Sequence, residues 1–445
     1  MSRRALSSCL LAFVFGLAAT GLRCGADRGP AGHPRFSWPP FPFSLTSRAA
    51  RVLAVVYSTD NIGPKSTLAS LGYPGRGIFR FHRDHPRIKV VLMSCPANRY
   101  SGEGTLADSP AATSTWRTLA LDDRFDWIEL GNEGYTHSPP GDTNLDHHEF
   151  AVMQTGCNVD HSKLAEPAYC RRRMDLIRRA YSTAGIPNDT VVLLRFPGLA
   201  YGPQALEAAV EAGFVAILGG RNLREADRPW WVADTKGEEI LEIQDTRFLR
   251  LFARWAELEE GLSQGRITRT GVVASPAFLA AVQRGRQYID RVAAGGGILN
   301  LSDRWTQTFK TIGGAHPRYL VLDAVLTDME ERYGPRVWYP RGRELALWLN
   351  ARHNARVTWN RAEGGVRVDV NVPDRWVASG LRLEEASLVV ALPQGWSRIG
   401  NVRLRANDEG WNDLDPSRFW LQGNRLAIVF PLRGHTQIQI AGEPS

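Results

Sequence analysis

Asp60, Glu133, Arg195 and Asp303 each stand just beyond an apolar run, so the chain carries one device four times: a polar segment at the exit of a buried stretch. The segments are Ser58-Thr-Asp-Asn61, Gly131-Asn-Glu-Gly-Tyr-Thr-His137, Arg195-Phe-Pro-Gly198 and Ser302-Asp-Arg-Trp305. A carboxylate and an imidazole four residues apart, as in Glu133 and His137, share one face if that turn is helical. Such a pair can ligate a metal or handle protons. Any one polar strand end is ordinarily a cap or turn. Acids, an imidazole and a guanidinium together on four strand exits point to a functional site, because parallel α/β folds gather such residues at the C-terminal ends of their strands.

The elements that must position them are legible as runs. Arg51-Val-Leu-Ala-Val-Val-Tyr57 is continuously apolar after its first residue, as suits a sheet covered on both faces. Similar strands are predicted over 88–93, 127–130, 191–194, 214–218, 271–274 and 297–301. Helical patterns fall at 169–184, 203–212, 247–262 and 276–293. Alternation over about 280 residues implies a parallel sheet or a (β/α) barrel. After residue 336 short alternating segments broken by Gly, Asn and Pro predict a small all-β sandwich.

The rest of the chain sets the context. Arg3 and Arg4, the apolar stretch from Leu10 to Ala19 and small residues after it predict a signal peptide over 1–24, hence a secreted or periplasmic protein. Arg23 stands where a small residue is wanted before a lipidated cysteine, so no lipid anchor is expected at Cys24. Residues 25–48, rich in Pro and Gly, read as a linker or extended strap; the α/β domain is assigned to 49–336 and the β-sandwich to 337–445. No apolar run of the mature region is long enough to span a bilayer. The net charge is +8, yet only five of the 54 basic residues are Lys and no basic run interleaves with aromatics, so nucleic acid is not the expected partner. Cys157 and Cys170 flank a short segment and are expected to pair in an oxidising compartment, stabilising the loop by roughly 3 kcal/mol. No CxxC pair suggests a thiolate zinc site.

The order of the four segments resembles the polysaccharide deacetylases of carbohydrate esterase family 4. That family pairs two Asp residues after its first strand with an H-x-x-x-H segment, an R-x-P segment and a last strand ending in L-x-H. The matching stretches here are Thr59-Asp60-Asn61, Glu133 to His137, Arg195-Phe-Pro-Gly and Asn300-Leu-Ser302-Asp303, within a resemblance covering roughly residues 50–310. It implies a distorted (β/α) barrel of about seven strands, a monomer, and removal of acyl groups from a polysaccharide or oligosaccharide. It also implies Asp60 as base, Arg195 as its partner, and Asn61, Glu133 and His137 as ligands of a divalent metal, zinc by preference; Asp303, at the exit of the last strand, is a third catalytic candidate. Three groups depart from the pattern: Asn61 replaces an acidic ligand, Glu133 replaces the first His, and Ser302 replaces the late His that serves as general acid. Asn, Glu and His carry the same single negative charge as Asp, His and His, so a metal site with altered affinity is expected. His147, His148 and His161 are candidates to replace the missing acid. Tyr135, Trp230, Trp231 and Trp305 are candidate sugar contacts.

Two other readings stay open. Gly131-Asn132-Glu133 at a strand end also resembles the acid/base segment of (β/α)-barrel glycosidases, with Glu133 as acid, Asp60 as base or nucleophile and no metal. Alternatively, the protein is an inactive relative that keeps the groove and binds glycan.

Overall fold

The run Leu53-Ala-Val-Val-Tyr57 lies fully buried in the centre of the largest sheet. The computed structural model describes residues 35–97, 105–139, 148–150, 166–219, 229–233, 239–244, 264, 269–304, 316–362, 365–373, 382–392, 396–407 and 409–444. The expected signal peptide, Cys24, Cys157, His147, His161, Trp305 and the expected helix over 247–262 lie outside these residues.

Strands are numbered along the chain: β1 (Arg35–Ser37), β2 (Leu53–Ile62), β3 (Val90–Ser94), β4 (Ile128–Asn132), β5 (Leu193–Leu194), β6 (Ala216–Leu218), β7 (Pro229–Ala233), β8 (Glu239–Ile243), β9 (Ile298–Arg304) and β10 (Val337–Trp338). Strands β9, β2, β3, β4, β5, β6 and β8 pair in that order, all parallel. Antiparallel β7 extends β8, and β10 adds a short parallel pairing to the start of β2. Asn300 on β9 donates through Nδ2 to Ile243 O on β8 at 3.3 Å, so the two ends of the parallel order come within one hydrogen bond.

Helices are α1 (Gly77–Asp84), α2 (Pro110–Leu121), α3 (Pro167–Thr183), α4 (Pro203–Glu211), α5 (Arg269–Val273), α6 (Pro276–Ala294), α7 (Pro317–Tyr333) and α8 (Gly342–Asn354). Five of them begin with Pro, whose fixed φ and missing N–H suit the first helical position. Ser109 and Ser275 cap α2 and α6 through their hydroxyls. The run 271–274, expected as a strand, lies mostly in α5; four apolar residues do not distinguish a strand from a buried helical turn. Its expected place in the sheet is taken by β8, whose Glu-rich sequence hid it.

Side chains alternate along each strand. Leu53, Val55 and Tyr57 pack with the helices, whereas Ala54 and Val56 face the opposite, inner side with Val91, Met93, Leu193 and Leu218. Helix α8 closes one end of this inner side. A Cβ on Gly342 would meet Val91 Cγ2 at 3.0 Å and Glu129 Oε2 at 3.2 Å, so only glycine admits the helix start there.

From Arg356 onward the chain is β11 (Arg356–Ala362), β12 (Gly365–Asn371), β13 (Leu383–Ala391), β14 (Trp396–Ala406), β15 (Asn412–Asp413), β16 (Phe419–Gln422), β17 (Arg425–Leu432) and β18 (His435–Pro444). They form two antiparallel sheets, β11-β12-β18-β14-β15 and β1-β13-β17-β16. Val366, Val368, Val402 and Ile438 of one share a core with Leu388, Val390, Ile428 and Phe430 of the other. The strap before β2 is part of this structure. β1 is an edge strand, Phe41 and Phe43 are buried, and Trp348 Nε1 donates to Pro40 O at 3.0 Å. The chain thus shows a mixed α/β arrangement with a parallel sheet and separate antiparallel sheets.

Candidate functional site

The period of two puts Ser58 and Asp60 on the inner side of β2, in phase with Ala54 and Val56. Asn300 is in phase with Ile298 on β9, and Arg195 follows Leu193 on β5, so the three strands aim at one place. Arg195, 2% exposed, organises it. Its Nε donates to Leu218 O at 2.9 Å and its Nη2 to Ser58 Oγ at 2.7 Å, while Nη1 lies 3.7 Å from Asp60 Oδ2. Ser58 Oγ donates in turn to Asn300 Oδ1 at 3.2 Å. Strands β2 and β6 thus lock the guanidinium, and its remaining arm faces the Asp60 carboxylate at ion-pair distance; the Asp60 side chain is 18% exposed. A carboxylate oriented at one oxygen and partly open is equipped to accept a proton from a bound water.

Beside it, the exit of β4 turns sharply. Asn132 Oδ1 accepts from Gly134 N at 2.9 Å, and its Nδ2 donates to Ser94 O at 3.2 Å and Gly134 O at 3.1 Å. Gly134 and His137 both take left-handed backbone angles, φ 81° and 69°. The turn brings Glu133 Oε1 to 3.7 Å from His137 Nε2, with both side chains buried. His148 stacks edge-on against His137, ring centres 5.5 Å apart.

A buried carboxylate that sequence reasoning passed over holds this turn. Glu149 Oε2 accepts from Tyr135 N at 2.8 Å and Thr136 N at 3.2 Å, and Glu149 N donates to His137 O at 3.0 Å. Its Oε1 accepts from Arg173 Nε, and Arg173 Nη2 donates to Thr136 Oγ1 at 2.5 Å. Burial leaves Glu149 inaccessible, so it acts on the turn and not on a ligand. The available signal was the Asp-His-His-Glu-Phe string, read only for its histidines.

The expected residues divide accordingly. Asp60 and Arg195 come together, as do Glu133 and His137. Asn61 and Trp230 lie on described backbone, but their side chains lie outside the described residues, as does that of Asp303, whose Cα is in register with Thr59. Tyr135, expected at a sugar, belongs to the core: it is 8% exposed with the Arg173 guanidinium 4.8 Å over its ring. Trp231 stacks on His353 of α8, ring centres 4.0 Å apart, so protein fills that face. Cys170 is buried in α3, and burial pushes its thiol up to about 11. Asn132, the companion of Glu133 in the glycosidase reading, is fully buried and committed to its own turn.

Among the described residues, no group of three or more His, Cys, Asp or Glu gathers as a metal site. Glu133 and His137 by themselves suit two positions of one. Two ligands about 2.1 Å from a tetrahedral zinc lie about 3.4 Å apart, close to the observed 3.7 Å.

No protein-family model matches the chain, and no curated protein matches it. Solved structures do. A protein from Mycobacterium smegmatis described as a polysaccharide deacetylase is 14% identical over 75% of this chain and 98% of its own, with a TM-score of 0.40. A 4-α-glucanotransferase from Thermococcus litoralis is 11% identical over 67% of this chain and 40% of its own, TM-score 0.39. The BpsB deacetylase domain from Bordetella bronchiseptica is 13% identical over 37% and 62%, TM-score 0.24. Among the described residues no helix is long and apolar enough to cross a membrane.

Proposed function

We propose that the chain is an exported carbohydrate-active hydrolase of the polysaccharide-deacetylase type, removing acyl groups from a glycan. On this reading the parallel sheet is a distorted barrel whose seam is bridged by Asn300. The observation that supports it is two pairs on strand ends of one parallel sheet: Asp60 faced by Arg195, and Glu133 with His137, joined where Arg195 N donates to Asn132 O at 2.7 Å. Arg195, itself fixed by Ser58, faces the partly exposed Asp60 carboxylate, which takes a proton from the attacking water. Glu133 and His137, with Asn61, are the residues that would hold a divalent cation. Such an ion, when bound, polarises the acyl oxygen and acidifies water. Buried Asn132 and Glu149 keep the turn rigid, so the two donors do not reorganise during reaction. His148, next to His137, is placed to return a proton to the leaving amine or alcohol.

The test combines two readouts on purified mature protein. Elemental mass spectrometry is expected to find about one equivalent of zinc or a similar metal, lost in His137→Ala. Acetate release from acetylated glycans is expected to fall at least 10²-fold in Asp60→Asn. Protein that takes up no metal from excess zinc and releases no acetate would overturn the proposal. Release of reducing ends in its place would establish the glycosidase reading.

A further inference from the structure

The outer face of the sheet β11-β12-β18-β14-β15 carries a cluster that the catalytic reading does not use. Val366, Val368, Val370, Val402, Ile438 and Ile440 point into the core, so the residues between them face out. Across three neighbouring strands, Arg367 of β12, Gln439 of β18 and Arg403 of β14 form one row. Asp369, Gln437 and Arg405 form the next row. Trp411, from the turn entering β15, lies among the three guanidiniums, with Arg367, Arg403 and Arg405 at 5.6, 5.9 and 5.3 Å from its ring.

Three like charges around one indole repel each other, and cation–π attraction, at about 0.5–1 kcal/mol for an exposed contact, offsets this only in part. Among the described residues, Arg367 Nε and Arg405 Nε are buried donors with no hydrogen-bond partner. The acids of this face discharge the cluster only in part, since Asp413 pairs with Arg403 and neither Arg367 nor Arg405 has a carboxylate partner among the described residues. Asp369 accepts from Gln437 Nε2 at 2.5 Å and lies 3.4 Å from His435 Nε2; Asp413 accepts from Asn401 at 2.9 Å and lies 3.6 Å from Arg403 Nε. Guanidinium N–H groups left over in such a cluster suit carboxylate or sulfate oxygens, which they bind in pairs.

The geometry points to this sheet face as a binding site for an acidic polysaccharide, with Arg367, Arg403 and Arg405 taking its anionic groups. The neighbours decide between polyanions. Asp369, Asp413 and Gln439 offer acceptors between the arginines. A sugar chain carries hydroxyl donors between its anionic groups for these acceptors, whereas the phosphates of a nucleic acid follow closely and meet the two carboxylates with fewer donors between them. This site does not depend on the catalytic reading, since it uses none of the same residues.

Affinity electrophoresis of the full mature protein through gels containing polygalacturonate tests it. Wild type is expected to be retarded, with weakening as salt rises and competition by free galacturonate but not by galactose. The Arg367→Ala/Arg405→Ala double variant, checked for native circular dichroism, is expected to bind at least 10-fold more weakly. Arg83→Ala, which removes an exposed charge on α1, is expected to bind as wild type does. Equal retardation in neutral dextran, equal weakening by Arg83→Ala, or tighter binding to single-stranded DNA than to polygalacturonate would each overturn the proposal. The wild-type competition result stands even if the double variant does not fold.

Discussion

Gly134 and Glu149 occupy each other's space: a Cβ built on Gly134 would run into Glu149 Oε2 and then Pro197 Cγ at 2.9 Å. The backbone at Gly134, with φ 81°, is also one that side chains resist. Gly134→Ala is therefore expected to cost about 2 kcal/mol or more in urea unfolding. It should also shift the His137 imidazole resonance, because the turn that carries His137 must move. A variant as stable as wild type would show that the turn is slack.

Glu149 and Arg173 form a buried pair that also serves two main-chain amides. Removing one partner leaves a buried charge uncompensated, at roughly 3–5 kcal/mol. Glu149→Ala is expected to lower unfolding stability by that order, and Glu149→Gln, which keeps an acceptor for Tyr135 and Thr136, by less. Equal losses would show that charge, and not the amide anchoring, dominates.

Much of the frame was readable because its physics is local. The run 51–57 announces a doubly covered strand, and the polar residues after it and after 191–194 single out Asp60 and Arg195; that they meet depends on the strand order, which is not local. Strand β8 was missed because Glu239-Ile-Leu-Glu-Ile interleaves charge with apolar residues, and its Glu242 is buried against Tyr201 and Gln244. The surroundings of Tyr135 and Trp231 were hidden for a related reason. An aromatic near a site has the same composition whether it meets sugar or, as here, a guanidinium and an imidazole. Glu149 required the fold itself, since its partners lie 13, 14 and 24 residues away.

Glu129 sits on β4 at the start of α8, accepting from Arg343 N at 3.1 Å. Burial pushes its carboxyl up to about 7, against the pull of Arg343. A carboxyl raised in the folded state keeps a proton that the unfolded chain has already released. Stability from this group is therefore greatest below about pH 4.5 and is lost as pH rises to about 7, by on the order of 3 kcal/mol. Glu129→Gln is expected to flatten that part of the profile in denaturant titrations from pH 4.5 to 8. An unchanged slope would place the titrating group elsewhere.

His85 reports on the opposite side of the sheet. Its ring is buried between Asp323, 3.1 Å from Nε2, and Glu330, 3.9 Å from Nδ1. Burial opposes its charge, but the two carboxylates prevail and raise it to about 9. Its contribution is full below the unfolded value near 6.5 and fades as pH rises through 9. His85→Gln is expected to reduce stability at pH 6 more than at pH 9.5. A loss independent of pH would mean that packing against Phe81, and not charge, is what the ring provides.

Arg195 separates geometry from charge in the proposed site. Its three arms reach Leu218 O, Ser58 Oγ and the Asp60 carboxylate at once, from a fork that is planar and rigid. Lys keeps the positive charge but is a point donor on a flexible stem, so Arg195→Lys can satisfy one of the three directions and leaves the others unmet in a buried setting. If Asp60 needs only a nearby cation, Arg195→Lys should retain most acetate release. If it needs a fixed orientation, turnover should fall about 10²-fold while substrate affinity changes little, since a carboxylate misplaced by 1 Å loses a factor of that order. The orientation outcome is expected here, because Arg195 is 2% exposed and its guanidinium is held from strands β2 and β6. Ser58→Ala, which removes one of the three anchors and no charge, should then give a smaller loss in the same direction. A Ser58→Ala enzyme indistinguishable from wild type, beside an Arg195→Lys enzyme that works, would show that the charge alone matters.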